Sequence, residues 1–356
     1  MKIAVGVSGG VDSSVAALLL RDEGHDVSGI MMKLCREPSS GGGRRSSCYG
    51  PGEEQDIQAA RDVCSRLGIP FHLFDCSREY EEAVLRYFRG EYLAGRTPNP
   101  CVRCNSLVKF GFLPGAARRS GLLFDRFATG HYARLDRDPV SKRHLLKTAV
   151  DKRKDQTYFL YRLSQEQLAA AVFPLGDRLK SRVRQIARDE GLPVHDHPES
   201  QDFYAGDWND LVRQAEAEGD IVDGRGTVLG RHKGTWNYTI GQRRGLGIAH
   251  PVPLYVVAID AARNRLVVGP AEETFRASCV AGDCAWIAVE RPAGPLDVLV
   301  KIRSASRPAP AVVSPVEDGR VLVTFAAPQS AVTPGQSAVF YRDELVVGGG
   351  IIESAA

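Results

Sequence analysis

Val5–Leu20, VGVSGGVDSSVAALLL, is the stretch on which the fold turns. A short β-branched run ends in glycine, passes through Ser8–Gly9–Gly10 and enters an apolar run of helical character, so the pattern is strand, tight loop, helix. Glycine lets backbone N–H groups approach an anion closely, and Ser13 and Ser14 add hydroxyls at the positive end of the helix dipole. The loop therefore reads as a phosphate cradle. It is not the GxxxxGK[ST] loop, since that lysine is absent, and ordinary γ-phosphate transfer is not expected. A plain serine- and glycine-rich cap would explain the helix start but not the paired glycines ahead of Asp12.

Outward from this loop, strand and helix alternate. VSGIMM (Val27–Met32), PFHLFD (Pro70–Asp75) and a run ending at Thr129–Gly130 are apolar strands. Between them, Glu53–Gly68 carries Ile57, Ala60, Val63 and Leu67 on one face, with an acidic first turn and Gly68 at the C-terminal cap. Apolar strands separated by amphipathic helices predict an α/β parallel sheet covered on both faces, with ligands at the carboxyl ends of its strands. The polar stretch Arg36–Gly52 is expected to be a mobile loop at that edge, and Gln165–Gly191 a helical stretch. Turn-formers around His195–Pro198 mark a first boundary. The expected division is residues 1–198, a smaller mixed unit over 199–268, and an all-β unit over 269–356. In the last, DVLVKIR, RVLVTF, SAVFY and ELVVGGGII are short β-branched runs between turns, as in a small barrel.

A chain of 356 residues is longer than one usual domain. It has no signal-peptide pattern and no apolar run of the ~18–20 residues that span a bilayer, so a cytoplasmic protein without a membrane partner is expected. Eight cysteines are too sparse for a disulfide scaffold. Cys64 and Cys76 fall at apolar positions and read as packing, as do Cys279 and Cys284 in the β region. A net charge of +3 decides little, but basic residues cluster in DKRKDQ (Asp151–Gln156), DRLKSRVR (Asp177–Arg184) and GQRRG (Gly241–Gly245), which permits an RNA partner.

The second informative stretch is TPNPCVRCN (Thr97–Asn105). Asn99 between two prolines is held extended, and Cys104 on a proline-stiffened loop beside Arg103 is placed to be a reactive thiolate. The residues alone leave a redox couple, a nucleophile with a neighbour, half of a zinc site and half of an iron–sulfur site all open.

SGGxDS after a first strand resembles the pyrophosphate loop of N-type ATP pyrophosphatases, which cleave ATP between the α and β phosphates and adenylate a substrate oxygen. That superfamily includes amide-forming synthetases, argininosuccinate synthesis and tRNA thiolation. An amide-forming ligase needs no CxxC, no KDQ run and no appended barrel. With GVSGGVDSS, Met32–Lys33, NPxxxCNxxxKFG, ATGHYAR, KDQTYFLYRL, GQRRGLGI and TPGQSAVFY…VVGGGII in order, the whole chain resembles the tRNA-specific 2-thiouridylases of the bacterial MnmA family. The resemblance implies an ATP pyrophosphatase domain, a central tRNA-binding domain and a C-terminal β-barrel. It implies that Gly6, Val7, Ser8, Gly9, Gly10, Val11, Asp12, Ser13, Met32 and Gly130 hold ATP, accompanied by Mg2+. Asn99 and Pro100 would border the wobble uridine of tRNA; Lys154, Asp155, Gln156 and Arg303 would contact the tRNA; Cys104 would be catalytic, with Asp12 in the reacting loop. A sulfur donor or relay protein is the further partner implied.

Two positions depart from the family pattern. Cys101 stands where an aspartate is usual, and Phe203, in ESQDFYAGD, stands where a second catalytic cysteine receives the persulfide. Three roles for the new pair follow. Cys101 resolves a persulfide on Cys104; or the pair is part of a zinc site; or Cys101, Cys104 and a third cysteine hold a [4Fe–4S] cluster, with Cys48 the first choice and Cys35 the second, as in related thiolases. Asp202 is the candidate general base.

Overall fold

In the strand β1 (Lys2–Gly6), Ile3, Ala4 and Val5 are all buried, as a strand covered on both faces requires. It lies at the centre of a five-stranded parallel sheet with β2 (Asp26–Lys33), β3 (Phe71–Asp75), β4 (Arg126–Thr129) and β5 (Ala171–Val172), in the order β3-β2-β1-β4-β5. Val5 pairs with Gly29 on one side and Ala128 on the other. The crossovers are α1 (Val11–Asp22), between β1 and β2, and α2 (Glu53–Leu67), between β2 and β3. Val15, Leu18, Val63 and Cys64 from these helices close over Ile3 and Val5 in one core. The structure is a computed structural model and describes residues 1–35, 47–50, 52–194, 202–204 and 208–356. Most of the expected loop Arg36–Gly52 and the expected boundary at residue 198 lie outside the described residues.

Two expectations need correction. Gln165–Gly191 is not one helical stretch. A capping box on Ser164 starts the helix Gln165–Ala170, then β5 pairs parallel with β4, and α3 (Lys180–Asp189) follows. Pro174 explains the break, because the residue before a proline is pushed out of the helical region, and β-branched Val172 fits the sheet instead. Nor is Cys104 on a loop. Pro100–Arg103 is an α-helix that runs directly into the π-helical Cys104–Phe112 and the α-helix Leu113–Arg119. Proline starts a helix readily, since the N–H it lacks would be unbonded in the first turn anyway.

The chain divides into two compact units, residues 1–84, 100–206 and 344–346 in one and 85–99, 207–343 and 347–356 in the other. The second unit contains a four-stranded sheet built from Gly219–Val222, Val228–His232, Tyr255–Asp260 and Arg265–Gly269, with Ile221, Val256, Leu266 and Val268 in its core. Its barrel runs through Phe275–Trp286, Val321–Ser330, Ala309–Pro315, Leu296–Lys301, Ser337–Arg342 and Leu345–Ala355, and closes where the first and last strands pair, Ala281 opposite Ile352. Val300, Val313, Val323 and Phe340 fill the interior. Closure removes the exposed edges that an open sheet would offer.

Candidate active site

The loop Ser8–Ser13 is tied by its own serines. Ser8 N donates to Ser13 Oγ at 3.1 Å, and Ser13 Oγ and Ser14 Oγ donate to Gly10 O at 3.2 and 2.8 Å. Gly10 caps α1 without a side chain, so no carboxylate or hydroxyl of the cap residue covers the first N–H groups of the helix. Gly6 ends β1, Met32 lies in the last two residues of β2, and Gly130 follows β4 directly, so the residues assigned to ATP share the carboxyl edge of the sheet. Gly130 packs on the loop itself. A Cβ there would lie 2.6 Å from Ser13 N and 2.7 Å from Asp12 C, so only glycine fits.

A lysine that sequence reading missed reaches this loop from α3. Lys180 Nζ donates to both carboxylate oxygens of Asp12, at 2.7 and 2.8 Å, and Tyr132 Oη donates to Asp12 Oδ1 at 2.9 Å. In the sequence, Lys180 is one of several cations in DRLKSRVR; only a contact spanning 168 positions distinguishes it. His131, next to Gly130, meets Thr129 Oγ1 at 2.8 Å through Nδ1, and desolvation holds its imidazole well below the usual value, hence neutral.

Cys101 and Cys104 lie three residues apart on the helix that starts at Pro100, and both are half-buried. Arg103 Nε donates to Ala83 O at 3.0 Å, so its guanidinium also fastens this helix to the chain beyond β3. Cys76, just past β3, is fully buried, and its thiol is pushed up to about 12, first by desolvation, then by the charges of Glu79, Asp75 and Cys104. The Cys104 helix thus begins near the carboxyl end of β3, on the same edge as the phosphate loop. Asn105 Nδ2 donates to Phe159 O at 3.2 Å, whereas its buried Oδ1 has no hydrogen-bond donor among the described residues.

Among the described residues, no three His, Cys, Asp or Glu side chains come together as a metal site. Cys35 closes the end of β2. Its backbone N–H donates to the Glu53 carboxylate, and burial pushes its thiol up to about 11. Cys48 belongs to the short strand Ser47–Tyr49, but its side chain, like that of Asp202, lies outside the described residues. Phe203 stacks on Tyr49 at 6.5 Å, and Tyr49 on Tyr80 at 5.3 Å, so the position matching the family's second cysteine is aromatic packing.

Of the residues assigned to tRNA, Asp155, Gln156 and Arg303 make hydrogen bonds within the protein. Asp155 accepts from Ala149 N and Thr157 Oγ1, and Gln156 Oε1 from Tyr132 N, which shapes the loop that presents Lys154. Arg303 Nη2 donates to Ile240 O, Ala331 O and Thr333 Oγ1. Ahead of the cysteine helix, Thr97 N donates to Pro334 O, and Gln336 Nε2 donates to Thr97 O, which accounts for the TPGQ motif. Gly335 is required there twice, by its φ of +91° and because a Cβ would lie 2.9 Å from the Thr97 backbone.

A parallel α/β domain with a lysine-free phosphate loop and a dithiol on one sheet edge, followed by a closed barrel, defines a nucleotide-using domain of the HUP class with appended β modules. Three family models match in order: the tRNA methyl transferase HUP domain over residues 1–204, the tRNA methyl transferase PRC-barrel domain over 211–270, and the aminomethyltransferase beta-barrel domain over 276–352. The tRNA-specific 2-thiouridylase MnmA of Endomicrobium trichonymphae is 47% identical over 99% of both chains. The proteins of that name from Geobacter metallireducens and Trichormus variabilis are 46% and 44% identical, over 99% of this chain and 97% and 98% of theirs. The chain belongs to the tRNA-specific 2-thiouridylase MnmA family. Among the described residues, no helix is long and apolar enough to cross a membrane.

Proposed function

We propose that the chain is an ATP-dependent tRNA 2-thiouridylase: it adenylates O2 of the wobble uridine and replaces that oxygen with sulfur. The observation that carries this reading is one sheet edge that holds both a phosphate loop without a transfer lysine and a dithiol helix. ATP enters with Mg2+; Ser8–Ser13 and the first turn of α1 receive the phosphates, and Met32 and Gly130 border the nucleotide. Asn99 and Pro100 border the uridine, and Lys154 and Arg303, with the units at 199–268 and 269–356, approach the tRNA.

For the sulfur step, the described residues do not supply a third ligand for a [4Fe–4S] cluster, and no step is assigned to one. Cys104 takes a sulfane sulfur from a donor protein as a persulfide. Its terminal sulfur attacks C2 of the adenylated base, and the C2–O bond breaks as AMP leaves with the oxygen. Cys101 thiolate then attacks Cys104 Sγ, which leaves the sulfur on C2 and a Cys101–Cys104 disulfide that an external thiol reduces.

The test combines purified protein, an anticodon-bearing tRNA, ATP and a persulfide donor, with mass spectrometry of the nucleosides and quantitation of AMP and pyrophosphate. One 2-thiouridine per AMP is expected. Cys104→Ala should still release pyrophosphate on tRNA but form no thiolated base. Iron and acid-labile sulfide are measured on anaerobic protein. About four irons per chain, lost with Cys101→Ala, Cys104→Ala and Cys48→Ala alike, would replace the persulfide route with a cluster held by those three cysteines.

A further inference from the structure

The loop contains an acid where it receives an anion. Asp12 sits in the first turn of α1, beside the N–H groups that would bind phosphate, and its carboxylate opposes any phosphate that arrives. The structure answers that charge with Lys180. This lysine is 7% exposed, which is costly for an ammonium unless it is paired. Its position works against its own helix, since it is the first residue of α3, where the dipole disfavours a cation. Asp151 fixes that end by accepting Lys180 N at 3.1 Å, and the ammonium lies 5.9 Å from the Tyr132 ring centroid. The Lys180 side chain is 9% exposed and its partner Asp12 32%, so the pair opens to solvent on the Asp12 side, in the loop itself.

We propose that Lys180 is the phosphate-binding cation of this enzyme, the counterpart of the lysine that the loop lacks, held on Asp12 until nucleotide arrives and then shared with the β- and γ-phosphates that leave as pyrophosphate. It rests on the reading of Ser8–Ser13 as an ATP loop. Its ammonium donates to phosphate oxygen without proton transfer, and Asp12 keeps it within a side-chain rotation of the ligand.

The experiment measures binding of ATP, pyrophosphate and adenosine by calorimetry to wild type, Lys180→Gln, Lys180→Arg and the double variant Asp12→Asn/Lys180→Gln. Glutamine retains a donor toward Asp12 and so tests charge with the fold kept, as a thermal melt checks. Removing one charge-assisted contact should weaken ATP and pyrophosphate about 10- to 100-fold, with adenosine within about twofold; arginine should recover most of the loss. Pyrophosphate binding should stay weak in the double variant. Recovery there would mean that Lys180 only neutralises Asp12, and parallel loss of adenosine would mean a structural role; either overturns the proposal, as would unchanged pyrophosphate binding in Lys180→Gln. If Lys180→Gln fails to fold, the double variant decides, because it removes the carboxylate together with its partner: weakened pyrophosphate with adenosine retained supports the contact, and pyrophosphate binding as in wild type, or parallel loss of adenosine, refutes it. Failure of wild type to bind ATP would instead refute the loop assignment.

Discussion

Replacing Gly130 by alanine tests the phosphate loop through its packing. The added Cβ would stand 2.6 Å from Ser13 N and 2.9 Å from Asp12 O, against an ordinary contact of at least 3.4 Å, a shortfall of about 0.8 Å on the closest atom. Both neighbours are backbone, so no side chain can swing aside; either the loop retreats from β4 or the turn after Thr129 does. Overpacking of this kind costs about 1–3 kcal/mol, which lowers the melting temperature by several degrees in a domain of this size. Displacing binding groups by nearly 1 Å costs up to about 10²-fold in rate. We therefore expect tRNA-dependent AMP release to fall about 10- to 100-fold while tRNA binding, by filter retention, is unchanged. Gly90→Ala is the control: it lies within the helix Arg86–Leu93 with no described residue within 4 Å of the new Cβ, and should raise stability by about 0.5–1 kcal/mol. AMP release within about twofold of wild type in Gly130→Ala would refute the view that residue 130 seats the loop.

Gly335→Ala combines a strained φ with a clash against Thr97; it should destabilise by about 1–3 kcal/mol and expose the segment before Pro100 to protease, seen as faster cleavage near residue 97. Cys101→Ala should release no free 2-thiouridine and instead trap one tRNA per chain on Cys104 as a mixed disulfide, from which added thiol frees the thiolated base; steady turnover without added thiol would exclude Cys101 as the resolving thiol. Alkylation of native protein should reach Cys101 and Cys104 well before buried Cys64, Cys76 and Cys279, as peptide mapping would show. Burial pushes those three thiols up, to about 11 for Cys64 and about 12 for Cys76 and Cys279, from an ordinary 9.0. The folded state holds these protons more tightly than the unfolded one, so their contribution is complete below pH 9 and is lost as pH rises toward 12; melting temperatures should fall over that interval and recover on return to neutrality.

What could be read from the chain is what local patterning dictates. β1, the loop and α1 follow from one run of sixteen residues, because glycine spacing and apolar periodicity act over a few positions. The barrel strands follow from β-branched runs between turns. Lys180 could not be read, since its partner Asp12 is 168 positions away and nothing in DRLKSRVR marks one cation as buried. The two-residue β5 is too short for a period of two to show, and the sheet recruits it through β4. At Pro98–Asn99–Pro100 the pattern pointed to extended chain, but the second proline starts a helix.

That helix changes the chemistry open to the two cysteines. In the family pattern, the second thiol comes from the segment that here contains Phe203, so the two sulfurs must be brought together by the fold. In this chain, Phe203 stacks on Tyr49 and Tyr49 on Tyr80, and another cysteine, Cys101, lies one turn before Cys104. Residues three apart on a helix have Cβ atoms roughly 5–6 Å apart, against about 3.5–4.5 Å across a disulfide. Closing that gap takes a shift in one turn at a helix start, where hydrogen bonds are fewest. A dithiol built this way needs no movement of one segment toward another to resolve a persulfide, and the helix continues into a π-helical stretch at Cys104 itself, where the backbone is already loosened from the regular ladder. On the proposed route, persulfide resolution is a matter of secondary structure, one turn of helix from Cys104 back to Cys101, and position 203 is left to aromatic packing against Tyr49.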